Sequence, residues 1–208
     1  MDILQDILKS KIIAIIRGAN SDDVLNIAGA LYTGGIKNVE VTLNSDNALE
    51  VIKQLCEAMK DKMLIGAGTV LNENAAQAAI SAGAKFIISP HFNVEIIKIT
   101  KQLGAVSIPG AFTPTEIVNA FNSGGDIIKV FPVSANINYI KEIRAPLPHI
   151  PLMPTGGITL ENIRNFQDEG ALAFGIGTAL VNSKEKVTEE YLKQLTERAY
   201  KFVQLVAN

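Results

Sequence analysis

With 208 residues, 48% of them hydrophobic and 19% charged, the chain has the composition of one soluble globular domain with a sizeable core, and disorder is excluded. A net charge of -2 without any block of Lys or Arg argues against a nucleic acid or an anionic membrane surface as partner, which leaves small molecules. The single cysteine allows no internal disulfide, no apolar run reaches membrane-spanning length, and Met1 to Lys9 lack the basic start and apolar core of a signal peptide, so a cytoplasmic location is expected.

Met1 to Lys9 form a short amphipathic N-terminal helix, after which β-branched runs alternate with segments of helical period, the pattern of a parallel sheet covered by helices. The first strand runs from Lys11 to Arg17. Ser21 can cap the next helix, whose Val24, Ile27, Ala28 and Leu31 share a face and which Gly34-Gly35 stop. A second strand spans Asn38 to Leu43, and the helix after it sets Cys56 at helical spacing with Leu49, Ile52 and Met59, a core role. Strands at Leu64 to Val70, Phe86 to Pro90 and Ala105 to Gly110 follow. Thr113-Pro114-Thr115-Glu116 joins a capping box to proline at the first helical position, and Gly124-Gly125 end that helix. Ile127 to Pro132, Leu152 to Gly157 and Ala173 to Gly177 complete eight strands, and Leu192, Leu195, Ala199, Phe202 and Val206 give a closing amphipathic helix.

A helix-stop glycine followed by a strand recurs at Gly35, Gly83, Gly104, Gly125 and Gly170, the middle three equally spaced. Eight such units without a linker predict a single closed (β/α)8 TIM barrel over residues 1–208, with lean loops, since that fold typically takes about 250 residues. An open doubly wound sheet is the alternative.

Lys129 is the anomaly of the sixth strand, an ammonium group in the apolar run Asp126-Ile127-Ile128-Lys129-Val130-Phe131-Pro132. Desolvation disfavours its charged form and makes the amine a nucleophile able to form a Schiff base with a carbonyl. Moving its pKa from about 10.4 to near 7 corresponds to roughly 4 to 5 kcal/mol of destabilised ammonium. The bland reading is a lysine that reaches past the strand end to solvent. In the second strand Glu40, Thr42 and Asn44 share one face, while Val39, Val41 and Leu43 suit the helix layer, so Glu40 points inward. Alternate strands contribute to one barrel layer, which lets Glu40 and Lys129 face one another, either as a base and a nucleophile or as a buried salt bridge.

Arg17 closes the first strand on the parity of Ile13 and Ile15, and Thr69 the third on the parity of Ile65 and Ala67; both are expected at the rim of the site. Arg17 offers a planar fork to a carboxylate or phosphate, or else faces solvent; Thr69 can equally be a core hydroxyl. Pro154-Thr155-Gly156-Gly157 and Gly175-Ile176-Gly177-Thr178 end the last two strands, where glycine-rich backbone can approach a phosphate. Gly66-Ala67-Gly68-Thr69 lacks the third glycine of a dinucleotide fingerprint, so no nicotinamide cofactor is expected. His91 and His149 lie apart without a carboxylate or Cys cluster, so no metal is expected; His149 reads as surface, and His91 can line the pocket.

On these residues the chain resembles the 2-keto-3-deoxy-6-phosphogluconate aldolase family, also known as 4-hydroxy-2-oxoglutarate aldolase, a class I aldolase group built on a small (β/α)8 barrel. The likeness runs nearly end to end through Ala14-Ile15-Ile16-Arg17-Gly18, Val39-Glu40-Val41-Thr42-Leu43, Gly66-Ala67-Gly68-Thr69-Val70, Ile88-Ser89-Pro90-His91, Ile108-Pro109-Gly110, Lys129-Val130-Phe131-Pro132 and Pro154-Thr155-Gly156-Gly157. The resemblance implies Lys129 as the Schiff-base lysine and Glu40 as the general acid/base. It implies Gly156, Gly157 and Thr178, with Gly177 beside it, as the phosphate site, and Thr69, Pro90 and Phe131 around pyruvate. It also implies a lyase of Entner-Doudoroff carbohydrate metabolism, needing no cofactor or metal and assembling as a homotrimer. Two departures stand out. Asn44-Ser45 replaces an arginine found in one branch and is closer to the phosphogalactonate branch, which shifts carboxylate binding to Arg17. Ser134-Ala135-Asn136-Ile137-Asn138-Tyr139 replaces a common Gly-Pro loop. Thr155, by contrast, is the residue usual in the phosphogluconate branch. A non-catalytic phosphosugar-binding protein is the rival from another class, disfavoured by the presence of both Glu40 and Lys129.

Overall fold

The computed structural model describes residues 2–134 and 136–207. Helix α1 (Ile3–Ser10) leads into β1 (Ile12–Ile16), α2 (Ser21–Thr33), β2 (Asn38–Thr42), α3 (Ala48–Ala58), β3 (Leu64–Gly68), α4 (Glu73–Ser81), β4 (Phe86–Ile88) and α5 (Val94–Gln102). Then come β5 (Val106–Ile108), β6 (Gly110–Ala111), α6 (Pro114–Asn122), β7 (Ile128–Val130), α7 (Ile137–Arg144), β8 (Leu152–Pro154), α8 (Ile163–Asp168), β9 (Phe174–Ile176) and α9 (Glu189–Val206). All eight expected strands are present with shorter ends. The fifth is divided into β5 and β6 at Pro109, which has no N–H to give to a ladder.

The strands form a curled parallel sheet in two arcs, ordered β5-β4-β3-β2-β1-β9 and β6-β7-β8. A parallel bridge between Thr155 and Gly175 links β8 to β9, and the N–H of Asp126 donates to Ser107 O at 2.8 Å ahead of β7. Side-chain alternation divides the apolar residues in two. Ile12, Ala14, Ile16, Val39, Val41, Ile65, Ala67, Ile128 and Val130 pack against the helices. Ile13, Phe86, Ile88, Val106, Ile108, Ile127, Met153 and Ala173 form a separate inner cluster, which Ile7 of α1 closes at the amino-terminal end of the strands. Fully buried, Ile7 contributes about 2 kcal/mol toward docking α1.

Local signals agree with the sequence in most places. Thr113 and Glu116 make the expected capping box with Pro114 in the first turn of α6. Asn20, not Ser21, caps α2, its side chain accepting from the Asp22 N–H at 3.2 Å. The left-handed glycine after α6 is Gly124 (φ 103), not Gly125. On α3, Ile52 and Met59 are buried and Cys56 half-buried, whereas Leu49 is 42% exposed, so the expected stripe is one residue shorter. In α9, Tyr191 is buried and Leu192 only packs against the core margin.

Ahead of β7, Asp126 accepts from Lys101 Nζ at 2.6 and 2.8 Å and from the Ser107 N–H at 2.8 Å. The loop carrying Ser134 and Asn136 leads to α7; Ala135, part of the noted departure, lies outside the described residues. Tyr139 on α7 stacks on Phe112, ring centroids 4.9 Å apart, and its hydroxyl donates to Phe112 O.

Candidate active site

Lys129 sits in the middle of β7, level with Gly110 of β6 and Met153 of β8, and is 4% exposed. Its neighbours Ile128 and Val130 belong to the helix layer, so its side chain enters the interior on the face of Ile127. Nζ lies 4.9 Å from the centroid of the Phe131 ring, a cation–π distance that favours the charged amine. Burial acts the other way and holds the Lys129 pKa below the usual lysine range, with Glu40 opposing and Arg17 reinforcing that depression.

Glu40, in the middle of β2, is 1% exposed, and neither of its carboxylate oxygens accepts a hydrogen bond from a protein group. Burial pushes its pKa above the usual carboxylate range, while Lys129 and Arg17 pull it back. The two residues therefore sense each other's charge without forming the hydrogen-bonded ion pair that a structural salt bridge requires. Both are shifted toward their neutral forms, the condition for a nucleophilic amine and for a carboxylate more basic than one at a surface.

The carboxyl ends of β1, β2 and β3 meet above this pair. Arg17, exposed just past β1, donates through Nη2 to Thr69 Oγ1 at 3.4 Å. Thr69 reaches the rim by a route that the parity argument missed. Ile65 and Ala67 face the helices, and Thr69 escapes their side because it adopts a left-handed backbone, φ 55. Ser45, marked in the sequence only as a departure, ties two loops together: its Oγ accepts from the Gly18 N–H at 2.8 Å and lies 3.1 Å from Thr42 Oγ1. A polar residue shortly after an inward-facing strand was the available signal.

On the other side, Thr155 is buried at the end of β8, its N–H donating to Val130 O at 3.0 Å and its carbonyl accepting from the Val133 N–H at 3.0 Å. Gly156 and Gly157 both have positive φ, 92 and 79. The Gly177 carbonyl accepts from the N–H groups of Leu180 (2.8 Å) and Val181 (2.9 Å), making a tight turn that exposes Thr178. Pro90 packs its carbonyl close against Gly110, where an added Cβ would come within 2.5 Å of the oxygen. His91 is exposed and gives only its carbonyl, to Ser89 Oγ; His149, also exposed, meets the Phe121 ring edge-on. Among the described residues no three carboxylate, Cys or His side chains gather as a metal site. A cavity of about 830 Å³ opens at the opposite end of the strands, among Lys9, Lys37, Asn38, Lys60 and Lys85, and includes none of the candidate residues. Chemistry, not cavity size, locates the site here.

The model of one protein family, described as KDPG and KHG aldolase, matches residues 3–197. The chain belongs to that aldolase family. It is a carbon–carbon lyase of the class I type. Among relatives of the aldolase, 2-dehydro-3-deoxy-6-phosphogalactonate aldolase of Escherichia coli is 36% identical over 86% of this chain and 88% of its own. A 2-dehydro-3-deoxy-phosphogluconate aldolase of Haemophilus influenzae is 35% identical over 79% of this chain and 78% of its own. Among solved structures, KDPG aldolase from Legionella pneumophila, with pyruvate captured as a covalent carbinolamine intermediate, aligns with a TM-score of 0.79 at 27% identity, covering 98% of this chain and 96% of that one. The first two relatives are named for epimeric phosphates and stand one percentage point apart, so overall identity does not choose between them.

Proposed function

We propose that this aldolase cleaves 2-keto-3-deoxy-6-phosphogluconate to pyruvate and glyceraldehyde 3-phosphate, with Lys129 as the Schiff-base nucleophile and Glu40 as the proton-transfer group. The observation that carries the reading is the buried, hydrogen-bond-free pairing of Lys129 with Glu40 beneath Arg17. The neutral amine adds to the C2 ketone, and loss of water gives an iminium that serves as electron sink. Glu40, directly or through a water, takes the C4 hydroxyl proton as the C3–C4 electron pair flows into the iminium. The aldehyde leaves, Glu40 returns a proton to C3 of the enamine, and hydrolysis frees pyruvate and the amine.

Arg17, held toward Thr69, binds the substrate carboxylate, and Phe131, Thr69 and Pro90 line the pyruvate half of the site. Thr155, Gly156, Gly157, Gly177 and Thr178 surround the phosphate; Gly156 and Gly157 hold positive φ that a side chain would strain, and without a Cβ their backbone can come close to an anion. Borohydride added with pyruvate tests the chemistry: an adduct on any residue but Lys129, or none, overturns it.

A second substrate reading has its own support. Asn44-Ser45 stand where one family branch carries arginine, and Ser45 is committed to the Gly18 N–H, which favours the galactonate epimer, while Thr155 favours the gluconate. Comparing kcat/KM on both epimers and on 4-hydroxy-2-oxoglutarate decides; a clear preference for the galactonate sinks the Thr155 argument.

We take residues 1–208 as a single domain whose two arcs belong to one closed (β/α)8 barrel, supported by the Thr155–Gly175 bridge on one side and the Asp126 N–H to Ser107 O bond (2.8 Å) on the other. We further take the assembly to be a homotrimer, which light scattering returning a monomer would contradict.

A further inference from the structure

In the β2–β3 ladder Glu40 is level with Gly66, and Thr42 with Gly68. The Glu40 carboxylate, however, does not lie over its partner. A Cβ built on Gly68 would stand 1.4 Å from Glu40 Oε1, 2.2 Å from Cδ and 2.5 Å from Cγ. The end of the glutamate thus fills the volume that a side chain at residue 68 would need, one inward position closer to the carboxyl end of the strand. Gly66 is vacant for a different neighbour: its Cβ would fall 2.2 Å from the Phe86 ring. The inner face of β3 carries no side chains at these two places, one gap filled from β4 and the other from β2.

The backbone does not require either glycine, since neither Gly66 nor Gly68 has a positive φ. Nor do hydrogen bonds hold the carboxylate, for no protein group donates to it. Space is what remains. We propose that Gly68 is a positioning residue for proton transfer: its missing side chain is the seat that sets how far along the barrel interior the Glu40 carboxylate lies, and so its height relative to the Lys129 amine. This inference rests on Glu40 being the proton-transfer group.

The test uses the full chain with pyruvate alone, measuring two things: borohydride trapping at Lys129, and solvent-deuterium exchange of the pyruvate methyl group by NMR. Gly68→Ala is expected to trap pyruvate within about threefold of the parent enzyme, while exchange falls about 100-fold, the scale of a lost general acid/base. Shortening the acid relieves the clash, so Glu40→Asp added to Gly68→Ala raises exchange above that of Gly68→Ala alone, a non-additive pair. Parent-like exchange in Gly68→Ala together with slow exchange in Glu40→Gln overturns the seat but keeps Glu40. Parent-like exchange in Glu40→Gln overturns the Glu40 reading itself. Should Gly68→Ala fail to fold, Glu40→Ala with Gly68→Ala must recover the melting temperature of Glu40→Ala; failure of that pair to fold shows that Glu40 is not what fills the space.

Discussion

Lys129 and Glu40 share one buried interior, where each draws the other toward its charged form and desolvation outweighs the attraction at both ends. The two therefore affect stability with opposite pH dependence. A raised Glu40 pKa means that the folded protein holds this proton more tightly than the unfolded chain, so its stabilising contribution is complete below the ordinary value near 4.5 and is lost as pH rises through the folded value. Glu40→Gln should accordingly gain melting temperature over the parent as pH rises from acid to neutral. Lys129 has the depressed value, so its cost is full below the folded pKa and fades as pH approaches the unfolded value near 10.5. The advantage of Lys129→Met should shrink toward alkaline pH. Flat differences in both series would remove burial as the dominant influence.

Arg17 gives one Nη2 hydrogen bond to Thr69 from an exposed position, and its remaining guanidinium N–H groups are available to a carboxylate. Arg17→Ala should raise KM by roughly 10-fold or more, the worth of a charge-assisted hydrogen bond of about 1.5–3 kcal/mol, with a smaller change in kcat. Arg17→Lys should restore only part of this, because an ammonium cannot reproduce the bidentate contact. An unchanged KM in Arg17→Ala would assign the carboxylate to another group.

The bridge between the two arcs depends on close packing: a Cβ on Gly175 would stand 2.4 Å from Thr155 Oγ1 and 3.0 Å from its Cγ2. Gly175→Ala should cost about 1–3 kcal/mol in urea unfolding, the usual scale of overpacking. Adding Thr155→Ala should return most of that loss. Simple additivity of the two changes would mean that the clash is relieved elsewhere.

Helix α6 begins with reciprocal bonds, Glu116 N–H to Thr113 Oγ1 at 3.3 Å and Thr113 N–H to Glu116 Oε2 at 2.8 Å. Thr113→Ala should lower stability by about 1 kcal/mol. The backbone N–H groups of Thr113 and Phe112 also hold the Glu116 pKa below the usual carboxylate range. Its share of the cap is present above the unfolded value and disappears as pH falls through the folded one, so the gap between parent and Glu116→Gln should narrow in acid. A gap that is constant with pH would show that the charge does not matter.

The sequence was most legible where a pattern repeats. Eight β-branched runs announced the strands, and the alternation around Lys129 and Glu40 correctly turned both inward. It failed where a residue leaves the alternation or has nothing to alternate. Thr69 was placed by counting from Ile65 and Ala67, but a left-handed φ turns it to the rim from a strand whose apolar side faces the helices. The true inner face of β3 is Gly66 and Gly68, and hydrogen atoms make no hydrophobic pattern. Capping of α2 by Asn20 was missed because Ser21 is also a good cap, so propensity alone could not set the boundary. Ser45 works through a backbone N–H of a loop distant in sequence, a relation invisible to spacing.

Asp126 lies outside the candidate site, yet it binds the start of β7 to the Ser107 N–H and to Lys101. Together with ladder bonds such as Ile128 N–H to Pro151 O at 2.8 Å and Lys129 N–H to Pro109 O at 2.9 Å, these contacts hold a strand of three residues in place, and a slip of one residue would exchange its two faces. Lys129 would then meet the helices and Val130 the interior. Asp126 is in that sense a register pin, through which a change far from any reacting atom could silence the enzyme while leaving every reacting group in the chain.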